Sequence, residues 1–132
     1  MKEEILKLKK IAKDKTILIC EDDNDVLEEL ESIFSMFFKN VLIAKDGQEG
    51  LELYQKNKSI AVIITDINMP NMDGIELITR LRDKLDYLVT PIMVLSTEWS
   101  NEMKQKGKKA GATSWIVKPF DTKLLNKAIT ET

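Results

Sequence analysis

The chain has 132 residues, a net charge of −2, and 43% apolar against 32% charged side chains. This balance suits one ordinary globular domain and gives no general attraction to nucleic acid or to an anionic membrane. Its apolar runs are too short to span a bilayer, Met1-Lys2-Glu3-Glu4 lacks the apolar core of a signal peptide, and the single cysteine, Cys20, has no internal disulfide partner. These features point to a cytoplasmic protein. The chain contains no histidine. That excludes Ser-His-Asp and Cys-His nucleophile pairs, histidine-based metal sites and a phosphohistidine carrier.

In chain order, residues 2–13 are lysine-rich, with Ile5, Leu8, Ile11 and Ala12 on one helical face. This segment reads as a short helix packed on the domain, a dimer contact, or the end of a signalling linker. Thr16–Cys20 is a first strand. Asn24–Phe38 carries Val26, Leu27, Leu30, Ile33, Phe34 and Phe37 at helical spacing. Val41–Ala44 is a short second strand. Asp46-Gly47-Gln48-Glu49 has capping-box form and opens a helix through Leu51 and Tyr54. Ala61–Thr65 is an uninterrupted β-branched run, the pattern of a strand buried on both faces. Asp73-Gly74-Ile75-Glu76 starts another helix, with Ile75, Ile78, Leu81 and Leu85 expected inward. Pro91 precedes the fourth strand, Ile92–Ser96. Ser100–Ala110 is a weaker helix, with an interior Gly107 that costs about 1 kcal/mol relative to alanine, and Gly111 ends it. Trp99 sits at its start, equally readable as core or as an exposed interface residue. Trp115–Val117 is the fifth strand, and Asp121 caps a last helix carrying Leu124, Leu125, Ala128 and Ile129.

The order is (βα)5 after an N-terminal helix. Such β-α-β units force right-handed crossovers and a parallel sheet covered on both faces, a doubly wound α/β fold. The last helix reaches Thr132 without a clear terminator, as in a domain cut from a longer protein.

In a parallel sheet all strand ends share one edge, where sites lie. Strand one ends in Glu21-Asp22-Asp23, strand three in Asp66, strand four in Ser96-Thr97-Glu98, and strand five in Lys118-Pro119. Topology thus gathers three acids (Glu21, Asp22, Asp66), a hydroxyl and a lysine. Clustered carboxylates repel and demand a cation. An all-oxygen set suits Mg²⁺ better than zinc or copper. Lys118 then reads as a second positive charge facing an incoming anion. A metal and a lysine around a nucleophilic carboxylate are the equipment of phosphoryl transfer. Pro119 fixes the backbone after Lys118 and suits a cis bond. Each residue alone has a plainer role: Asp22 or Asp23 as a helix cap, Asp66 as a turn residue, Ser96 as a local hydrogen-bonder. It is their joint placement at successive strand ends that points to a site.

The joint pattern resembles the receiver domain of two-component response regulators, particularly chemotaxis-type, CheY-like receivers. The resemblance covers residues 15–132 and leaves 1–14 as a helical extension. It is carried by Asp66-Ile67-Asn68-Met69-Pro70-Asn71-Met72-Asp73-Gly74 and by Gly111-Ala112-Thr113-Ser114-Trp115-Ile116-Val117-Lys118-Pro119-Phe120. It implies a flavodoxin-like sheet of order 2-1-3-4-5 and a phosphoryl acceptor at Asp66. It further implies Mg²⁺ (or Mn²⁺) on Asp22, Asp66 and the Asn68 backbone carbonyl, with Glu21 acting through water. Lys118 and Ser96 would contact the phosphoryl group. Trp115 would change rotamer, with Thr97 beside it in the switch, and Asn68 and Glu98 would modulate the hydrolytic water. The implied partners are a sensor histidine kinase or phosphotransfer protein and a downstream partner, either a motor-switch-type protein or a fused output domain. The output face would be the helix over 100–110, strand five and the last helix. Such a domain is a switch that catalyses its own phosphorylation and dephosphorylation. Glu21 replaces the more frequent aspartate and Trp115 the usual tyrosine or phenylalanine.

Other readings meet specific obstacles. A haloacid-dehalogenase-type phosphatase needs a second acid where Asn68 stands, and Asn68 also breaks the D-x-D of a Toprim domain. A flavodoxin-like cofactor binder needs a phosphate loop where Glu21-Asp22-Asp23 would repel the ligand. A receiver fold serving only as an interaction module leaves the intact acid set without a purpose.

Overall fold

The computed structural model describes residues 2–57, 59–84 and 90–131. Five strands, β1 (Thr16–Cys20), β2 (Asn40–Ala44), β3 (Ile60–Thr65), β4 (Ile92–Ser96) and β5 (Ser114–Val117), alternate with helices. The helices are α1 (Lys2–Ala12), α2 (Asn24–Ser35), α3 (Gly47–Lys56), α4 (Gly74–Lys84), α5 (Asn101–Ala110) and α6 (Thr122–Thr130). The sheet has order β2-β1-β3-β4-β5 and every pairing is parallel.

Strand residues divide by parity between two apolar layers, as the two-residue period requires. Ile17, Ile19, Val62, Ile64, Met93, Leu95 and Ile116 meet α1, α2 and α6 on one face. Leu18, Cys20, Ile63, Ile92 and Val94 meet α3 and α4 on the other. Cys20 is therefore core. Burial pushes its thiol up to about 12, which leaves it un-nucleophilic.

The first helix is part of this packing. Leu8 and Ala12 are fully buried in the first layer, with Ile5 packed beside them, and α1 lies against α6. Ile11, expected on the same face, is 41% exposed. It sits at the flank of a contact centred on Leu8 and Ala12, so the apolar stripe is narrower than the sequence suggests.

Three further expectations need correction. The second helix ends at Ser35 rather than Phe38, and Phe37 and Phe38 are buried from the following turn. On α6, Leu124 is 54% exposed while Asn126 is buried beside Leu125 and Ile129. On α4, Leu77 joins Ile78 and Leu81 in the core while Ile75 is only partly buried. Leu85 lies outside the described residues. Asp23, Asp46, Asp73 and Asp121, each readable as a cap in the sequence, accept first-turn N–H groups, and Ser100, read as the first residue of its helix, is instead the N-cap of α5. The far end of α5 is held by Gly111 in the left-handed region, φ 118°, and by Arg82 of α4, whose guanidinium donates to the Gly111 and Thr90 carbonyls.

If α1 is an integral layer, Leu8→Ala should lower unfolding free energy by about 2–5 kcal/mol, measured by urea denaturation. A loss near zero would show that α1 only rests on the surface.

Candidate functional site

The strand order reverses between β1 and β3, which opens a crevice at their carboxyl ends. Register aligns those ends. Cys20 pairs with Ala44 and Thr65, the Asp66 N–H donates to the Cys20 carbonyl at 3.0 Å, and the Lys118 N–H donates to the Ser96 carbonyl at 2.8 Å. Backbone hydrogen bonds thus bring four strand ends to one edge.

Lys118 lies at its centre. Its ammonium donates to Glu21 Oε1 at 2.7 Å and to Asp66 Oδ2 at 3.0 Å. Glu21 is 2% exposed, and its other oxygen accepts the Asp23 N–H at 3.1 Å. Burial raises the Glu21 carboxyl above its ordinary range, and the bond from Lys118 only partly offsets this. For Lys118, burial acts to lower the pKa, but the bonds to Glu21 and Asp66 outweigh it and the net direction is upward. Asp66 Oδ1 accepts the Ile67 N–H at 2.6 Å. The Lys118–Pro119 peptide is cis.

Asp22 is exposed at the mouth, while Asp23 is the N-cap of α2, accepting from Asp25 and Val26. The two acids divide the roles that each alone could have filled. Carboxylate oxygens of Glu21, Asp22 and Asp66 converge within 4.8 Å of one another. They are hard oxygen donors and fit Mg²⁺.

Ser96 is buried, and its Oγ accepts the Glu98 N–H at 3.2 Å. Thr97 is exposed. Asn68 Nδ2 donates to Glu98 Oε1 at 3.3 Å, a bond between the β3–α4 and β4–α5 loops. Trp115 is half-buried and its indole N–H donates to the Glu98 carbonyl at 2.9 Å. Trp99, by contrast, is 72% exposed.

A model of the response regulator receiver domain matches residues 17–130. The chain belongs to this family. It is 32% identical over 114 residues to a chemotaxis protein CheY homolog of Campylobacter jejuni, covering 85% of this chain and 88% of that protein. The structure of the chemotaxis response regulator CheY4 of Vibrio cholerae superposes with a TM-score of 0.82 at 37% identity, covering 90% of this chain and 98% of that one. The CheX–CheY–BeF3–Mg²⁺ complex from Borrelia burgdorferi gives 0.80 at 26% identity, covering 89% of this chain and 88% of that one. The fold is thus the flavodoxin-like fold of CheY, with α1 outside the matched residues. Phosphoacceptance and Mg²⁺ binding at an acidic pocket are general to receiver domains. In this chain the acidic cluster is Glu21, Asp22 and Asp66. No helix among the described residues is long and apolar enough to cross a membrane.

Part of the site's support is not visible in the motifs. The loop after Asp66 is pinned to the start of α3. Asn71, at φ 65°, donates through Nδ2 to Asp46 Oδ2 at 2.7 Å, and the Gly47 N–H donates to the Met72 carbonyl at 3.0 Å. A Cβ at Gly74 would run into the Asp66 carbonyl, so glycine lets α4 begin directly beneath Asp66. Pro70, Asn71 and the Asp73-Gly74 pair are turn chemistry in the sequence, but nothing local marks the bond from Asn71 to Asp46.

Two outcomes follow from these bonds. The Asp46 carboxyl is held below its usual range by the Glu49 N–H and by Asn71. Its contribution is therefore present above the ordinary value near 3.9 and is lost as pH falls through the lowered one. Asp46→Ala should cost about 1–2 kcal/mol at pH 7, with the difference from wild type shrinking on acidification. Lys118→Met leaves Glu21 buried without its cation and should cost about 3–5 kcal/mol at pH 7. A raised carboxyl contributes stability below its ordinary value and loses it as pH rises through the folded one. The Lys118→Met deficit should therefore shrink as pH is lowered and Glu21 takes up a proton. Urea titrations across pH check both, and a deficit that grows on acidification would contradict the Lys118 account.

Proposed function

We propose that this receiver takes a phosphoryl group onto Asp66 from a sensor histidine kinase or phosphotransfer protein. A single observation carries the reading: the Lys118 ammonium bridges Asp66 and Glu21 at the end of β3. A buried carboxylate, a cation in contact with it and a convergent acid set support phosphoryl transfer better than a turn or capping role would.

In the transfer, an Asp66 carboxylate oxygen bonds to phosphorus as the bond to the donor's imidazole nitrogen breaks. Lys118 already faces that carboxylate, so its charge is in place to meet the phosphoryl oxygens without reorganisation. Asp22, Asp66 and the Asn68 backbone carbonyl would hold Mg²⁺, or Mn²⁺, with Glu21 reaching it through water. When bound, the metal neutralises phosphoryl oxygens as a Lewis acid. The domain is a switch rather than a turnover enzyme: its product is a stored charge.

That charge, about −1.5 to −2, draws on Ser96. Its hydroxyl accepts from Glu98 in the resting protein and turns to donate to a phosphoryl oxygen. The pull passes through Thr97 and Glu98 to Trp115 and α5. Few side chains anchor α5: Met103 and Ala110 are only partly buried and its lysines are exposed. A sparsely anchored helix beside the site is where a population shift would be expressed. The face of α5, β5 and α6 is then the output surface for a motor-switch-type partner or a fused output domain.

Acetyl phosphate with Mg²⁺ should add one phosphoryl mass, and beryllofluoride with Mg²⁺ should change Trp115 fluorescence. Both responses should be absent in Asp66→Ala. A silent wild type, or a variant that still responds, would remove the reading.

A further inference from the structure

Gly107 sits in the middle of α5, where glycine weakens a helix relative to alanine. There is a steric reason for it. A Cβ built on Gly107 would lie 2.6 Å from Cζ3 and 2.9 Å from Cε3 of Trp115. The six-membered edge of the indole therefore rests on bare helix backbone. The opposite edge is committed as well, since its N–H donates to the Glu98 carbonyl at 2.9 Å. Glu98 faces the site mouth. Its side chain accepts from Asn68 at 3.3 Å and its N–H donates to Ser96 Oγ at 3.2 Å. An unbroken series of contacts thus runs from the backbone of α5 to the residue two positions beyond Asp66.

We propose that Gly107 is a positioning residue for the phosphoryl site: by giving the indole its seat, it fixes the main chain at Glu98 and hence the Glu98–Asn68 bond that borders the path of hydrolytic water. This rests on the reading of Asp66 as phosphoacceptor. In that hydrolysis the water oxygen bonds to phosphorus, the bond from phosphorus to the Asp66 carboxylate oxygen breaks, and the water's proton leaves to solvent. Gly107 touches none of these atoms. Its influence passes entirely through the ring of Trp115, and this separates the proposal from a general effect of glycine on helix stability.

The test uses a Trp99→Phe background, in which Trp115 is the only indole. The protein is phosphorylated with acetyl phosphate and Mg²⁺, the donor is removed, and loss of the phosphoryl mass is followed with time. Gly107→Ala should shift Trp115 emission in the resting protein and change the phosphoryl lifetime roughly three- to tenfold, the effect of one displaced hydrogen bond. In Trp115→Phe, whose smaller ring clears the added methyl, Gly107→Ala should change the lifetime by less than about twofold. Alanine favours the helix, so failure to fold is not the expected outcome. An unchanged lifetime with Trp115 present, or equal effects with and without the indole, overturns the proposal while leaving Asp66 as acceptor. A wild type that gains no phosphoryl mass overturns both.

Discussion

The lysine between two buried carboxylates is the constraint around which the site is built. Glu21, Asp66 and Lys118 come from the ends of three different strands, and their contacts of 2.7 and 3.0 Å require those ends to be level. The sheet makes them level through main-chain bonds, Asp66 to Cys20 and Lys118 to Ser96. The sheet in turn depends on the two apolar layers that cover it. Taking Glu21 out of water is costly, as the upward direction of its carboxyl shows, and removing either charge alone would leave its partner uncompensated. Lys118 thus pairs two of the three clustered carboxylates, and Asp22 adds a negative charge at the mouth that a bound cation would offset.

Much of this was legible in the sequence, for reasons that differ by residue. Ala61–Thr65 and Ile92–Ser96 read as strands because a strand buried on both faces needs no neighbour to explain its composition. The acids and the lysine could be gathered because parallel topology alone places strand ends on one edge. Less legible were positions decided by what packs against them. Leu124 and Ile11 are apolar and at helical spacing, yet they face solvent because the α1–α6 contact is centred on other residues. Phe37 and Phe38 extend the helical pattern of α2 beyond its end, since a turn can bury aromatic rings as well as a helix can.

The contacts that stabilise the loops were hidden for another reason. Asp46 and Asn71 are far apart in sequence and each has an ordinary local role, one as a cap and one as a turn residue. Only the crossing of α3 and the β3–α4 loop makes them partners. Gly107 was legible only as a cost. Its counterpart, Trp115, was legible only as a departure from the usual aromatic residue. The two features answer each other, since the larger ring needs the missing side chain.

Magnitudes limit how the stored charge can act. Moving an equilibrium from 1:99 to 99:1 takes about 5.5 kcal/mol of differential binding. In the proposed switch, turning the Ser96 hydroxyl from the Glu98 N–H to a phosphoryl oxygen would exchange an ordinary hydrogen bond for a charge-assisted one. Such a bond is worth about 1.5–3 kcal/mol, and the released N–H must find a new partner. Ser96 by itself therefore cannot drive a complete shift. The remainder of the proposed switch would have to come from Lys118, whose ammonium already faces Asp66, and from the Glu98 segment, which carries the Asn68, Ser96 and Trp115 bonds together. Because those three bonds meet at one residue, moving Glu98 disturbs all of them at once. In the proposed switch the three bonds would therefore respond together along the β4–α5 loop rather than one at a time.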